Sequence, residues 1–220
     1  MKVSVVIPSF QRFDQLQNCV NSVLLQSINT EIIVINDCST DIRYNDLDKI
    51  YPNVKFIHLP VNTRKKHNIT TGQGLVRNEG IKIATGDWIA FIDDDDFYID
   101  PKKLETQIIL MQKYDCKMSS TNMYCYYGNE YPTTLYHTNM IGKEVEDNIS
   151  ILNAQDIATV NYINNSTVII HKEIIEKTGL FEPVDNEDYQ YWKRIMKHTN
   201  CVYIHKPMVT YSITGIKYYS

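Results

Sequence analysis

Hydrophobic and polar positions alternate in blocks along this chain, and the blocks predict its elements. Val3-Ser4-Val5-Val6-Ile7 reads as a buried strand, and Pro8, which cannot donate to a ladder, is expected to end it. A helix then runs to about Gln26, with Leu16, Val20, Val23 and Leu24 at three- and four-residue spacing. Glu31 to Ile35 and Val54 to Leu59 read as the next strands, and Gln73 to Ala84 as a helix that Gly86 breaks. Asn62 to Gly74 is a polar connection carrying Arg64, Lys65, Lys66 and His67, either a solvated loop or a basic segment near an anionic ligand. Trp88-Ile89-Ala90-Phe91-Ile92 is a continuous apolar run, as in a parallel strand buried on both faces. Pro101 opens a further helix that ends near Tyr114. This strand–helix rhythm predicts an α/β fold with a mostly parallel, Rossmann-like sheet.

After Lys117 the rhythm changes. Met118 to Tyr127 and Tyr131 to Tyr136 read as strands around a Gly128-Asn129 turn, which predicts mixed strands in the second half. Asn139 to Ser150 reads as a loop, Ala154 to Thr159 as a short helix, and Thr167 to Ile170 as a strand. Lys172 to Thr178 follows as a helix capped by Gly179. Asp185 or Asn186 can cap the next helix, with Glu187 and Asp188 in its first turn, where the dipole favours negative charge. Cys201 to Ile204 is the last expected strand, with Pro207 and a short tail after it.

The acidic residues add chemistry to this frame. Asp93-Asp94-Asp95-Asp96 follows the central strand at once, and each charge raises the cost of ionising the next. A solvated acidic loop is the plain alternative. The abrupt passage from buried strand to carboxylates instead points to the carboxyl edge of an open α/β sheet, where ligands bind. Hard oxygen ligands, few in number, suggest Mg²⁺ or Mn²⁺ sharing a substrate phosphate. Asp37 and Asp41 stand in a second polar stretch just past a strand.

Composition narrows the classes. A length of 220 residues and an apolar fraction of 43% suit one α/β domain, and the net charge of −4 gives no footprint for nucleic acid. Five scattered cysteines without a CxxC pair fit reduced thiols and argue against zinc, and the six histidines show no metal spacing. No apolar run approaches the ~18 residues of a transmembrane segment. The opening residues are expected to form a strand rather than a signal peptide, since Pro8 and Ser9 interrupt the apolar run.

Five motifs in order resemble glycosyltransferase family 2, inverting enzymes of the GT-A fold. They are Val5 to Arg12, Ile33 to Asp41, Arg77-Asn78-Glu79-Gly80, Gly86 to Asp96, and Glu187 to Trp192. The resemblance implies a single domain over 1–220, with a nucleotide-binding half at 1–100 and an acceptor half at 101–220. It implies that Asp37 accepts the uracil N–H of a UDP-sugar, and that Pro8, Phe10 and Arg12 border the base and ribose. Asp95 would ligate Mn²⁺ or Mg²⁺, with Asp93 and Asp94 at the ribose, sugar or metal. Arg77 would sit by the donor phosphates, although a helix-packing ion pair explains it nearly as well. Asp188 matches the general base, and Glu187 and Trp192 are expected on the acceptor side. The acceptor would be a glycan, a lipid-linked saccharide or a protein. The setting would be cytoplasmic, alone or peripheral at a membrane.

Many members carry a C-terminal Tyr-Arg pair followed by His. Here Tyr211 is present without them, and His205 lies too early to match. A catalytically silent nucleotide- or glycan-binding module of the same fold is the alternative. A sugar nucleotidyltransferase needs a glycine-rich loop after the first strand, where this chain has Pro8 to Arg12.

Overall fold

The computed structural model describes residues 2–70, 72–126 and 134–213. The first strands are β1 (Val3–Ser9), β2 (Thr30–Asn36), β3 (Lys55–His58), β4 (Trp88–Phe91) and β5 (Phe97–Tyr98). The later strands are β6 (Met118–Tyr126), β7 (Thr134–Leu135), β8 (Lys143–Glu146), β9 (Ile149–Leu152), β10 (Ile169–His171) and β11 (Cys201–Ser212). Helices are α1 (Phe13–Leu24), α2 (Leu47–Ile50), α3 (Thr63–His67), α4 (Gln73–Ile83), α5 (Lys103–Lys113), α6 (Lys172–Thr178) and α7 (Glu187–Ile195).

One sheet runs β3-β2-β1-β4-β10-β6-β11-β9-β8, with β5 on β11 and β7 on β6. Strands β3, β2, β1 and β4 are parallel, and β10 pairs antiparallel with both β4 and β6. The mixed second half is therefore as expected. Successive side chains of β1 enter opposite layers: Val5 and Ile7 join α1 and α5, and Val6 joins α4, α6 and α7.

Several local expectations are corrected. Pro8 does not end β1; it lies opposite Ile35, and the strand continues to Ser9. Pairing with β4 stops at Val6, so the donor that proline lacks would face a side with no partner strand. The basic connection holds the short helix α3, whose Lys65 N–H donates to the Asn62 side chain. Helix α5 starts at Lys103, two residues past Pro101. The expected loop at 139–150 contains the β8–β9 hairpin, an edge whose charged, exposed outer strand carries little hydrophobic signal. Residues 154–159 are turns, because the side chains of Asn153 and Asp156 take the local N–H groups. Asn186 sits at the start of α7 in left-handed geometry (φ 52°) without a side-chain cap bond. The Gly128-Asn129 turn lies outside the described residues. Strand β11 passes through Pro207 with register shifts on either side.

Helix α4 approaches β1 closely. A Cβ added to Gly80 would lie 2.5 Å from Val6 Cγ1. Gly80→Ala is expected to destabilise by about 1–3 kcal/mol through overpacking. Urea unfolding checks this, and an unchanged midpoint would contradict it.

Candidate active site

The carboxyl ends of β1, β2 and β4 meet in a cavity of ≈ 340 Å³. Pro8, Phe10, Arg12, Asp37, Asp93, Asp94 and Asp95, separated in sequence, all line it. This is the strand edge at which open α/β sheets bind ligands.

The four consecutive aspartates have different surroundings. Asp94 is 3% exposed and turned inward, accepting from Phe10 N–H at 3.2 Å and from Arg12 Nη1 at 3.0 Å. Burial pushes its carboxyl up, while Arg12 pulls it down. Asp96 is buried and accepts from the Ser166 hydroxyl and, at 2.8 Å, from Ser212 N–H. Burial and the neighbouring carboxylates hold Asp96 well above the usual range. Asp93 and Asp95 keep side-chain exposures of 30% and 13%. They are more open to the cavity than Asp94, which also lines it. Burial, then Asp94, pushes the Asp95 carboxyl up to about 7, with Arg12 at 3.1 Å opposing.

Asp93 and Asp95 offer only oxygen donors, which suits a hard divalent cation. Among the described residues no three His, Cys, Asp or Glu side chains converge on one point. A cation that takes one or two protein carboxylates and completes its shell with phosphate and water fits such a partial set.

Asp37 is held tightly. Its Oδ1 accepts from Thr63 N–H at 2.8 Å and Thr63 Oγ1 at 2.6 Å, and its Oδ2 accepts from Asn62 Nδ2 at 2.9 Å. Burial raises its carboxyl, and the Thr63 bonds and Arg64 oppose this. One lone-pair site on Oδ2 is left for a ligand N–H.

A second cavity of ≈ 230 Å³ adjoins the first. Gln73 and Asp93 line both; Arg77, Asn165, Glu187 and Asp188 line the second. Asp188 Oδ1 accepts from Tyr189 N–H at 2.6 Å, and Oδ2 from Asn165 Nδ2 at 3.4 Å. Burial raises the Asp188 carboxyl above its ordinary value.

Arg77 is 2% exposed and bridges Asp93 at 2.5 Å and Glu187 at 3.3 Å. It lines the second cavity only, so the ion-pair reading describes it and it reaches the donor cavity through Asp93. Glu187 also accepts from Gly74 N–H, and a Cβ on Gly74 would lie 2.9 Å from the Glu187 Cδ. Its Oε1 is thus held within the protein, while the residue lines the second cavity beside Asp188. Trp192 must be corrected outright. It is 0% exposed and packs against Phe91, Phe181 and Tyr191 beneath the cleft, where no acceptor can reach it. His205 bonds Ser150 and lines neither cavity.

Sequence reading missed Tyr211, Ser212 and Ile213 as lining residues, because Pro207 appeared to end the last strand. It also missed the Asn62–Thr63 clamp, whose signal was an Asn at the start of a short basic helix. Asn165 was missed as well; its signal was two adjacent asparagines before a strand.

The sequence profile of glycosyl transferase family 2 matches residues 4–179, and the chain belongs to this family. It is 29% identical over 197 residues to the Escherichia coli UDP-Glc:alpha-D-GlcNAc-diphosphoundecaprenol beta-1,3-glucosyltransferase WfaP, covering 88% of this chain and 70% of that protein. It is 38% identical over 103 residues to the poly(ribitol-phosphate) beta-glucosyltransferase of Bacillus spizizenii, covering 44% of this chain and 15% of the relative. The chain likewise spans 33% of the E. coli K12 glycosyltransferase YibD, at 33% identity over 55% of its own length. In fold it matches S. aureus TarS 1-349 in complex with UDP-GlcNAc, with a TM-score of 0.76 and 20% identity over 99% of this chain and 60% of TarS 1-349. The architecture is GT-A. No helix among the described residues is long and apolar enough to cross a membrane.

Proposed function

We propose that this protein is an inverting glycosyltransferase that moves a hexosyl or N-acetylhexosaminyl group from a UDP-sugar to an acceptor hydroxyl. The supporting observation is the shared wall of the two cavities: Asp93 and Gln73 border both the aspartate cleft and the chamber holding Asp188.

The donor lies in the larger cavity. Asp37 accepts an N–H of the base, and Pro8 and Phe10 border the base and ribose. Arg12 and Arg64 line the same cavity and set positive charge beside the diphosphate. Mn²⁺ or Mg²⁺, held by Asp95 and Asp93 when bound, supplies Lewis-acid stabilisation of the departing UDP. The acceptor hydroxyl enters the smaller chamber, where Asp188 takes its proton as the oxygen forms the new bond to the anomeric carbon. UDP leaves from the opposite face with the electrons of the broken bond. One displacement inverts configuration, so an α-linked donor gives a β-glycoside. The β-linkages in the names of the E. coli and Bacillus relatives agree with this outcome. A lipid-linked saccharide, as in the E. coli relative's name, is the favoured acceptor class, reached from the cytoplasmic side of a membrane without a spanning helix.

A UDP-release assay over UDP-glucose, UDP-galactose, their N-acetyl forms and non-uridine donors, each with Mn²⁺ and Mg²⁺, tests the proposal. Turnover of one UDP-sugar above the rest is expected. UDP binding by calorimetry without turnover across a broad acceptor panel would instead support a silent binding module.

A further inference from the structure

A turn that the reaction above does not use joins its two halves. Residues Asn165–Thr167 form a single 3₁₀ turn at the carboxyl edge of the sheet, and all three are buried. Their side chains take three directions. Asn165 Nδ2 donates to Asp188 Oδ2 at 3.4 Å. Ser166 Oγ accepts from Asp93 N–H at 3.0 Å and donates to Asp96. Thr167 Oγ1 bonds Ser120 Oγ at 2.7 Å.

The turn is anchored from behind. The carbonyl of Thr167 accepts from Gln107 Nε2 at 2.9 Å and Lys103 Nζ at 3.2 Å, both fully buried on α5. A buried lysine without a counter-ion is costly, and burial holds its amine well below the usual range. Its Nζ contacts the Thr167 carbonyl, Gln107 Oε1 and the face of the Tyr98 ring at 4.3 Å, which ties α5 to this turn.

We propose that Asn165 is the positioning residue of the candidate base, its amide setting the Asp188 carboxylate at a fixed place relative to the donor aspartates that Ser166 holds. This rests on the assignment of Asp188 as base. Two features favour orientation over simple packing. The Asn165 Oδ1 has no partner among the described residues, while Nδ2 is turned to Asp188. The other hydrogen bonds to the Asp188 carboxylate among the described residues come from the backbone N–H groups of Tyr189 and of Asp188 itself, and Asn165 is the side chain that bonds Oδ2. Removing the amide frees the carboxylate to rotate and takes a hydrogen bond from its ionised form. The other charged or titratable groups facing Asp188 are Arg77 of α4, which favours the ionised form, and Asp93 and Glu187, which oppose it. Tyr136, just past β7, also faces it.

Asn165→Ala and Asn165→Asp test the inference in the intact chain. The aspartate keeps the size of asparagine, leaves no cavity and, when ionised, lacks the donor. Transfer kcat is expected to fall about 10- to 100-fold in both, while UDP affinity stays within about twofold. The acid limb of the rate profile, and the Asp188 carboxyl titration read by ¹³C NMR, should move up by about one unit in the alanine variant and further in the aspartate variant. Wild-type rates with an unmoved limb and titration in both variants would overturn the proposal. So would a parallel loss of UDP binding, which would mark the turn as a packing element. Asp188→Asn separates the two levels: if that variant retains transfer, the base assignment fails, whatever Asn165 does. If it is inactive while both Asn165 variants behave as wild type, only the positioning role fails. The NMR titration reads the Asn165 contact even without turnover.

Discussion

Asp188→Asn is expected to lower transfer on the order of 10²–10⁴-fold while UDP affinity stays within about twofold. The amide matches the carboxylate in size and can still accept from Tyr189 N–H, and the Asn165 amide can turn to offer its oxygen instead. The chamber should therefore keep its shape and lose only its proton acceptor. The pH dependence follows with a definite sign. Burial raises the Asp188 carboxyl, so the ionised base is present above that raised value and is lost as pH falls through it. The acid limb of kcat/KM should lie above the ordinary carboxylate range and be absent from the residual rate of the variant. A variant with wild-type kcat would remove Asp188 from its role.

Arg77→Met is expected to destabilise by about 3–5 kcal/mol, because it strands two carboxylates around a buried site. Asp93 and Glu187 both rely on this guanidinium, which carries almost no solvent exposure. Donor affinity should fall too, since Asp93 loses the partner that holds it at the cleft. Arg77→Lys should recover little, as an ammonium cannot span two carboxylates as a fork does. Arg43, which pairs with Asp14 and Asp41 at the surface, serves as the control: its alanine variant should change stability far less than the Arg77 variant does. Urea unfolding with UDP calorimetry separates the two. Equal effects at both arginines would refute the buried-relay description.

Much of this was legible in the chain because the physics was local. The run from Trp88 to Ile92 could only be a doubly buried strand, and four carboxylates directly after it needed a sheet edge. Helix α4 and helix α6 were likewise expected almost residue for residue. What was hidden depended on partners distant in sequence. Trp192 stands one turn after Asp188 on the same face of α7, and only its contacts with Phe91 and Phe181, distant in sequence, show that this turn is already in the core, 0% exposed. The anchoring of Glu187 was hidden because its partners, Gly74 and Arg77, lie more than a hundred residues earlier. The outer hairpin strand β8 was invisible because charged edge strands lack alternation. Asp94 and Asp95 are neighbours in one run, and only the position of Arg12 and the burial of each show which faces inward.

The irregular pairing on both sides of Pro207 has a further meaning for diversification. It sets the phase of the last residues of β11, and hence whether a ring or a hydroxyl is presented at each point above Asp95 and Asp96. Because side chains alternate along a strand, one residue gained or lost at that irregularity would exchange the facing of Tyr211 and Ser212. A single insertion there would thereby change the rim of the donor pocket, together with the Ser212 bonds to Asp95 and Asp96.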